Sequence, residues 1–228
     1  MVLNKSIIGM IHLFGPDPVS RALYEIKTYE ECGIDAIIVE NYHGSVEDVI
    51  EVLKVVKTSM YVGINILPNE YKEAFEIANT YGCSFIQLDF ISGKYERSQE
   101  LNEEDYLMYR EKYPNIFVMG GVWPKYYLPQ KGSNLQVDLL KAKTLCDAVV
   151  VTGAGTGKET PTDKIRFFRS ALGNFPLIIG AGLTSGGIQQ LEYADGAIVG
   201  SYFKDGDTTK IVNRTLVNNL IKLKNGKE

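Results

Sequence analysis

Residues 176–204 read PLIIGAGLTSGGIQQLEYADGAIVGSYFK. Two short apolar runs, Pro176–Ile179 and Ala197–Val199, each end in glycine. The first passes into Gly180-Ala181-Gly182 and the second into Gly200-Ser201. Between them Gly187–Tyr193 carries Ile188 and Leu191 at helical spacing. The order is strand, glycine turn, short helix, strand, glycine turn. In an eightfold βα barrel the loops after strands seven and eight commonly hold a phosphate. Glycine turns let backbone N–H groups approach an anion, and a helix N-terminus adds a partial positive charge. The stretch therefore reads as a phosphate cup, provided that six strand–helix units precede it.

They do. Ser6–Ile11, Ile34–Val39, Met60–Ile66, Ser84–Phe90, Asn115–Met119 and Asp147–Val151 are apolar runs too short for helices, as expected of strands buried on both faces of a parallel sheet. Helical periodicity fills the gaps. Residues 19–31 repeat through Val19, Ala22, Ile26 and Tyr29 and stop at Gly33. Ser45 caps a second helix, with Asp48 three residues on. Further helices are expected over Tyr71–Tyr81, Glu103–Lys112 and Leu135–Leu145, after Thr160-Pro161 with the proline at the first helical position, and over Asp207–Lys224. Lys222, Lys224 and Lys227 end the chain in positive charge. Strict alternation implies a parallel sheet, and eight units argue for closure into a (β/α)8 TIM barrel, one domain over residues 1–228. An open doubly wound sheet would place a dinucleotide fingerprint after its first strand; His12-Leu13-Phe14-Gly15-Pro16 stands there instead.

Composition narrows the function. With 228 residues, 45% hydrophobic and 23% charged, the chain has an ordinary globular balance. A net charge of −4 with dispersed Lys and Arg disfavours nucleic acid. No apolar run approaches the ~18 residues of a membrane span, and Ile7–Leu13, interrupted by His12, lacks the features of a signal peptide. A cytoplasmic protein is expected. Three cysteines without C-x-x-C spacing predict neither disulfide nor zinc site. The loop Thr152-Gly153-Ala154-Gly155-Thr156-Gly157 fails the Walker spacing, since Thr152 and Glu159 occupy the required glycine and hydroxyl positions; Lys158 and Ser185 break the dinucleotide pattern in the two glycine loops. No nucleotide cofactor is expected.

His12, Glu40, Asn41, Asn65, Asp89 and Thr152 all fall at the C-terminal ends of predicted strands, where barrel enzymes place their chemistry. Glu40 follows a nearly continuous apolar run, so partial desolvation should lift its pKa toward the range of a general base. His12 is its expected partner and Asp89 a second carboxylate. Asn41, Asn65, Lys125, Thr152 and Gly153 are candidate substrate contacts, and Gly180, Ala181, Gly182, Gly200 and Ser201 candidate phosphate contacts. A divalent metal on His12, Glu40 and Asp89 stays open but ranks below a metal-free site, because no ligand pair has diagnostic spacing. The segment GGVWPKYYLPQKGSN after strand five has the length of a lid or binding loop; its Trp123, Tyr126 and Tyr127 could cover a ligand or pack the loop.

Taken together, GMIHL at 9–13, GIDAIIVEN at 33–41, GINIL at 63–67, Val151-Thr152-Gly153 with Thr156-Gly157, and 196–204 resemble the BtpA/SgcQ family over nearly the whole chain. The resemblance implies a TIM barrel of the ribulose-phosphate-binding kind. Members are named for photosystem I biogenesis or for a sugar-metabolism gene region, and no settled reaction comes with the name. The family usually carries an Asp, a His and a Lys-His pair after strand five, where this chain has Gly121, Trp123 and Lys125-Tyr126; Asp89 stands where an Asn is usual. Two functions are therefore carried forward. One is acid–base chemistry on a sugar or nucleoside phosphate, of isomerase, aldolase or lyase type. The other is a non-catalytic factor for assembly or regulation of a protein complex. Homo-oligomerisation is open, with no stoichiometry implied.

Overall fold

The computed structural model describes residues 3–226, so Lys227 lies outside the described residues. Eight parallel strands close in sequence order: β1 (Ser6–Ile11), β2 (Ala36–Glu40), β3 (Tyr61–Asn65), β4 (Phe85–Leu88), β5 (Phe117–Gly121), β6 (Ala148–Val151), β7 (Leu177–Ile179) and β8 (Gly196–Val199). Closure is made by β8 on β1, with Ile7 beside Ala197 and Gly9 beside Val199. Helices α1 (Pro18–Glu31), α2 (Val46–Val55), α3 (Tyr71–Tyr81), α4 (Glu103–Lys112), α5 (Leu135–Leu145) and α6 (Thr162–Leu172) follow the first six strands, and α7 (Arg214–Lys224) ends the described chain. The (β/α)8 expectation holds. No helix among the described residues is long and apolar enough to cross a membrane.

The strands sort their side chains by parity, because successive residues of a strand face opposite sides. One set, including Ile8, Met10, Ile38, Phe85, Met119, Val150, Ile178 and Ile198, fills the barrel. The other, including Ile37, Val39, Ile86, Leu88, Val149 and Ile179, packs under the helices. Helix ends follow local chemistry. Ser45 and Asp48 make the reciprocal capping box at the start of α2, and Gly82 closes α3 in a left-handed conformation, φ 69°. Cys32, Cys83 and Cys146 are buried and unbridged, as small core residues.

Four local expectations are corrected. The segment between β7 and β8 is a 3-10 helix, Ser185–Glu192, since adjacent Gly186 and Gly187 weaken an α-helical start. Pro161 sits at the N-cap of α6, one residue before the helix. β5 runs on through Gly120 and Gly121. The last helix begins at Arg214, not Asp207. A short 3-10 turn, Ser201–Lys204, and left-handed Asp205 precede it. Asp207 Oδ1 accepts hydrogen bonds from the Thr209 N–H and hydroxyl, the local competition with helix that short polar side chains offer.

Candidate functional site

Inward parity, continued to the C-terminal mouth, reaches one position per strand, the last strand residue or the one after it. These are His12, Glu40, Asn65, Asp89, Gly121, Thr152, Gly180 and Gly200. All but Asn65 line a cavity of about 250 Å³ at the mouth. The ring is asymmetric. From β1 to β4 it carries four polar side chains, three of them titratable. From β5 to β8 it carries three glycines and a threonine, leaving backbone exposed where side chains would stand. The glycines are sterically required. A Cβ on Gly200 would lie 2.7 Å from the His12 ring, and one on Gly121 only 1.9 Å from the Asp89 carbonyl oxygen.

On the side-chain half, Glu40 is 7% exposed. Burial pushes its carboxyl up to about 7, with Lys125 pulling against that shift and Asp89 reinforcing it. Asn65, fully buried, donates to Glu40 Oε1 at 2.8 Å and reaches Asp89 Oδ1 at 3.5 Å, so it couples the two carboxyls from behind the cavity wall. Burial also raises Asp89, against hydrogen bonds from Tyr127 and Asn65; the Tyr127 hydroxyl donates to Asp89 Oδ2 at 2.9 Å. His12 is held well below the usual histidine range, first by burial and then by Lys204, so its imidazole is neutral at physiological pH. Its Nδ1 is buried without a partner among the described residues. The Lys204 ammonium, in the turn after β8, pairs with Glu25 of α1 at 2.7 Å, and both side chains are 1% exposed. Lys125 arrives from the loop after β5, its backbone N–H bonded to Thr152 Oγ1 at 2.7 Å and its Nζ 3.0 Å from Thr156 Oγ1. Among the described residues, no three His, Cys, Asp or Glu side chains gather as a metal-sized cluster.

On the backbone half, three loops meet. Gly182, at φ 75°, lies against the backbone of Lys158 and Glu159 from the loop after β6, and a Cβ on Gly157 would come within 2.8 Å of Ser201 Oγ. Thr156, Gly157, Ala181, Gly182, Gly200 and Ser201 all face the cavity. The Gly180 N–H is committed to Val151 O at 2.7 Å. Gly180 therefore serves by lacking a side chain, where a Cβ would strike Val150 and Thr152, and not by its amide. The N–H groups of Gly157, Gly182 and Ser201 have no acceptor among the described residues. Lys164 of α6 donates to the carbonyls of Trp123 and Thr152 at 3.1 and 2.8 Å, tying two rim segments together.

Three expected substrate contacts lie off the cavity wall: Asn65, behind it as described, Asn41 and Gly153. Asn41 follows Glu40, so parity turns it away; its Oδ1 accepts from Leu67 N at 2.8 Å and braces the turn whose Leu67 and Pro68 line the cavity. Gly153 is needed for its loop to fold back, since a Cβ there would meet Glu159 O at 2.6 Å. Of the loop aromatics, Trp123 is a packing residue, its indole N–H bonded to Asp138 Oδ2 at 2.8 Å. Tyr126 and Tyr127 face the cavity. Sequence reading passed over Gln87, which also lines it. Its signal was the two-residue step from Phe85 to Asp89.

Solved structures that match the chain agree on the fold. A phosphoribosyl anthranilate isomerase in complex with reduced 1-(o-carboxyphenylamino)-1-deoxyribulose 5-phosphate superposes with TM-score 0.62 at 13% identity, covering 97% of this chain and 98% of its own. A tryptophan synthase structure from Mycobacterium tuberculosis gives 0.68 at 14%, covering 95% and 91%. Identities this low speak to architecture alone. In sequence, an uncharacterized protein of Thermococcus kodakarensis is 29% identical over 251 residues, covering 96% of this chain and 95% of the relative. The photosystem I biogenesis protein BtpA of Synechocystis is 28% identical, covering 88% and 81%. The BtpA family model spans residues 3–226, from before β1 to beyond α7, and the chain belongs to the BtpA family.

Proposed function

We propose that the barrel binds a small phosphorylated compound, a sugar or nucleoside phosphate, and catalyses proton transfer next to a carbonyl, as in isomerisation, aldol cleavage or a lyase step. The carrying observation is the divided ring, with a backbone-lined half and an acid–base half facing one cavity. In this reading the phosphate lies against the N–H groups of Gly157, Gly182 and Ser201, where glycines permit close approach and amides point at the anion. Ala181 and Gly200 complete the wall. The fold-level neighbour carrying a ribulose 5-phosphate derivative supports the reading by analogy of architecture only.

Glu40 is the proton carrier. A carboxyl near 7 is populated in both protonation states at neutral pH, which suits a group that must take and return a proton. Neutral His12 donates a hydrogen bond to a developing oxyanion without first losing a proton. Lys125 places a cation over the same space, and Asp89, fixed by Tyr127, is the second carboxylate. A thermal-shift screen of sugar phosphates and nucleotides, followed by turnover assays on the hits, tests this. Glu40→Gln is expected to keep ligand binding and lose turnover by ~10²–10⁴-fold, the range for a general acid–base group. Turnover unaffected by that change would remove Glu40 from the mechanism.

The relation to the photosystem I biogenesis protein favours one second reading, a ligand-sensing assembly factor that keeps the cup without turnover. It predicts stabilisation by a phosphorylated compound, no product, and no functional effect of Glu40→Gln.

A further inference from the structure

One step below the ring, inward parity reaches a second layer of eight positions. Seven hold Met10, Gly63, Met119 and the branched aliphatics Ile38, Val150, Ile178 and Ile198. The eighth is Gln87 of β4, beside Met119 in the register. It is the only polar side chain of that layer. Among the described residues its Oε1 is buried with no hydrogen-bond partner. Yet it lines the same cavity as Glu40 and Asp89, on the floor with Met10, Val150 and Ile198. A carboxamide whose oxygen is buried and unpaired, on a side chain that is otherwise only half-buried at the cavity, is costly, and an apolar residue of the same shape would be the better scaffold. Something that enters the cavity must answer it. A hydroxyl does so whichever end of the amide it meets, because it both donates and accepts.

We propose that Gln87 is a specificity-determining residue, hydrogen-bonding a hydroxyl at the end of the ligand remote from its phosphate. The proposal rests on the phosphate reading above and narrows it to a polyhydroxylated ligand lying across the mouth. Its phosphate sits at β6–β8, and a hydroxyl-bearing end dips to the floor at β4. A site built to bond a hydroxyl discriminates strongly against partners that lack it, since the protein group is then stranded.

The test compares wild type with Gln87→Met and Gln87→Leu, which fill similar volume without hydrogen bonding. Melting temperature is measured without ligand. Affinities are measured by calorimetry for inorganic phosphate, ribose 5-phosphate and ribulose 5-phosphate. The expected result is an unchanged or raised melting temperature, inorganic phosphate affinity within twofold of wild type, and at least a fivefold loss for the sugar phosphate that wild type binds best. A smaller loss overturns the proposal. Failure of both variants to fold assigns Gln87 to the scaffold and overturns it equally. Absence of binding by wild type to all three probes would instead sink the phosphate reading itself, and this proposal with it.

Discussion

At the scale of single residues, the buried Glu40 carboxyl makes stability depend on pH. Its folded pKa of about 7 lies above the ordinary 4.5. Between those values the folded state holds a proton that the unfolded chain has released, so this stability is present below pH 4.5 and is lost as pH rises through 7. Glu40→Gln removes the term. The variant should gain stability over wild type across that window, by up to roughly 3 kcal/mol at pH 8, measured by urea denaturation at several pH values. His12 acts in the opposite sense, its depressed pKa costing stability as pH falls below about 6.5; it is common to both proteins and cancels in the difference. Gly200 gives a second residue-level prediction. Gly200→Ala forces the His12 ring to shift, because the new Cβ would stand 2.7 Å from it. The expected cost is about 1–3 kcal/mol of overpacking, together with weakened ligand binding. Retention of both stability and binding would show that the His12 position is not set by this contact. His12, Glu40 and Asp89 were legible because a polar residue ending an apolar run stands out. Gln87 was harder: inside SFIQLDF it looks like one polar residue within a strand, and its two-residue step from Asp89 places it on the inward face only once Asp89 is known to face the cavity.

At the scale of elements, the end of the barrel opposite the mouth has a device of its own. An aspartate immediately precedes β2, β6 and β8. Each accepts a backbone N–H from the strand before it and pairs with a cation: Asp35 with Ile7 N and Lys224, Asp147 with Val118 N and Arg110, and Asp195 with Leu177 N and Arg169. Arg110 grips Asp147 through two bonds of 2.9 Å. Conservative chemistry at this face serves the scaffold. Asp147→Ala should lose about 1.5–3 kcal/mol of stability, the range for a hydrogen bond to a charged group, with ligand affinity unchanged, read by denaturation and calorimetry side by side. The apolar runs Ile34–Val39, Asp147–Val151 and Ala197–Val199 announced the strands well. They did not announce that the aspartate stitches neighbouring strands, since its partners lie in other units. The late start of α7 was hidden for a related reason. Ile211 and Val212 continue the apolar spacing, whereas Asp207 and Asn213 spend their side chains on turn and cap bonds.

At the scale of the whole molecule, the fold was legible because eight similar units repeat, and repetition survives errors of one or two residues at any boundary. The site was only half legible. Position at a strand end is a property of the sequence; facing inward is a property of register, which separates Glu40 from Asn41 and Thr152 from Gly153. The consequence of closure is the divided ring, four polar side chains opposite a wall of backbone. In the proposed function that wall is an anion site. Amide nuclear magnetic resonance of the ¹⁵N-labelled protein during titration with inorganic phosphate and ribose 5-phosphate tests it directly. Saturable shifts are predicted at the N–H groups of Gly157, Gly182 and Ser201. The Gly180 amide, already bonded to Val151, should respond less, and Val118 and Leu177 at the far end of the barrel should not move. Saturable shifts confined to other surfaces, or none at those three amides, would contradict the anion site.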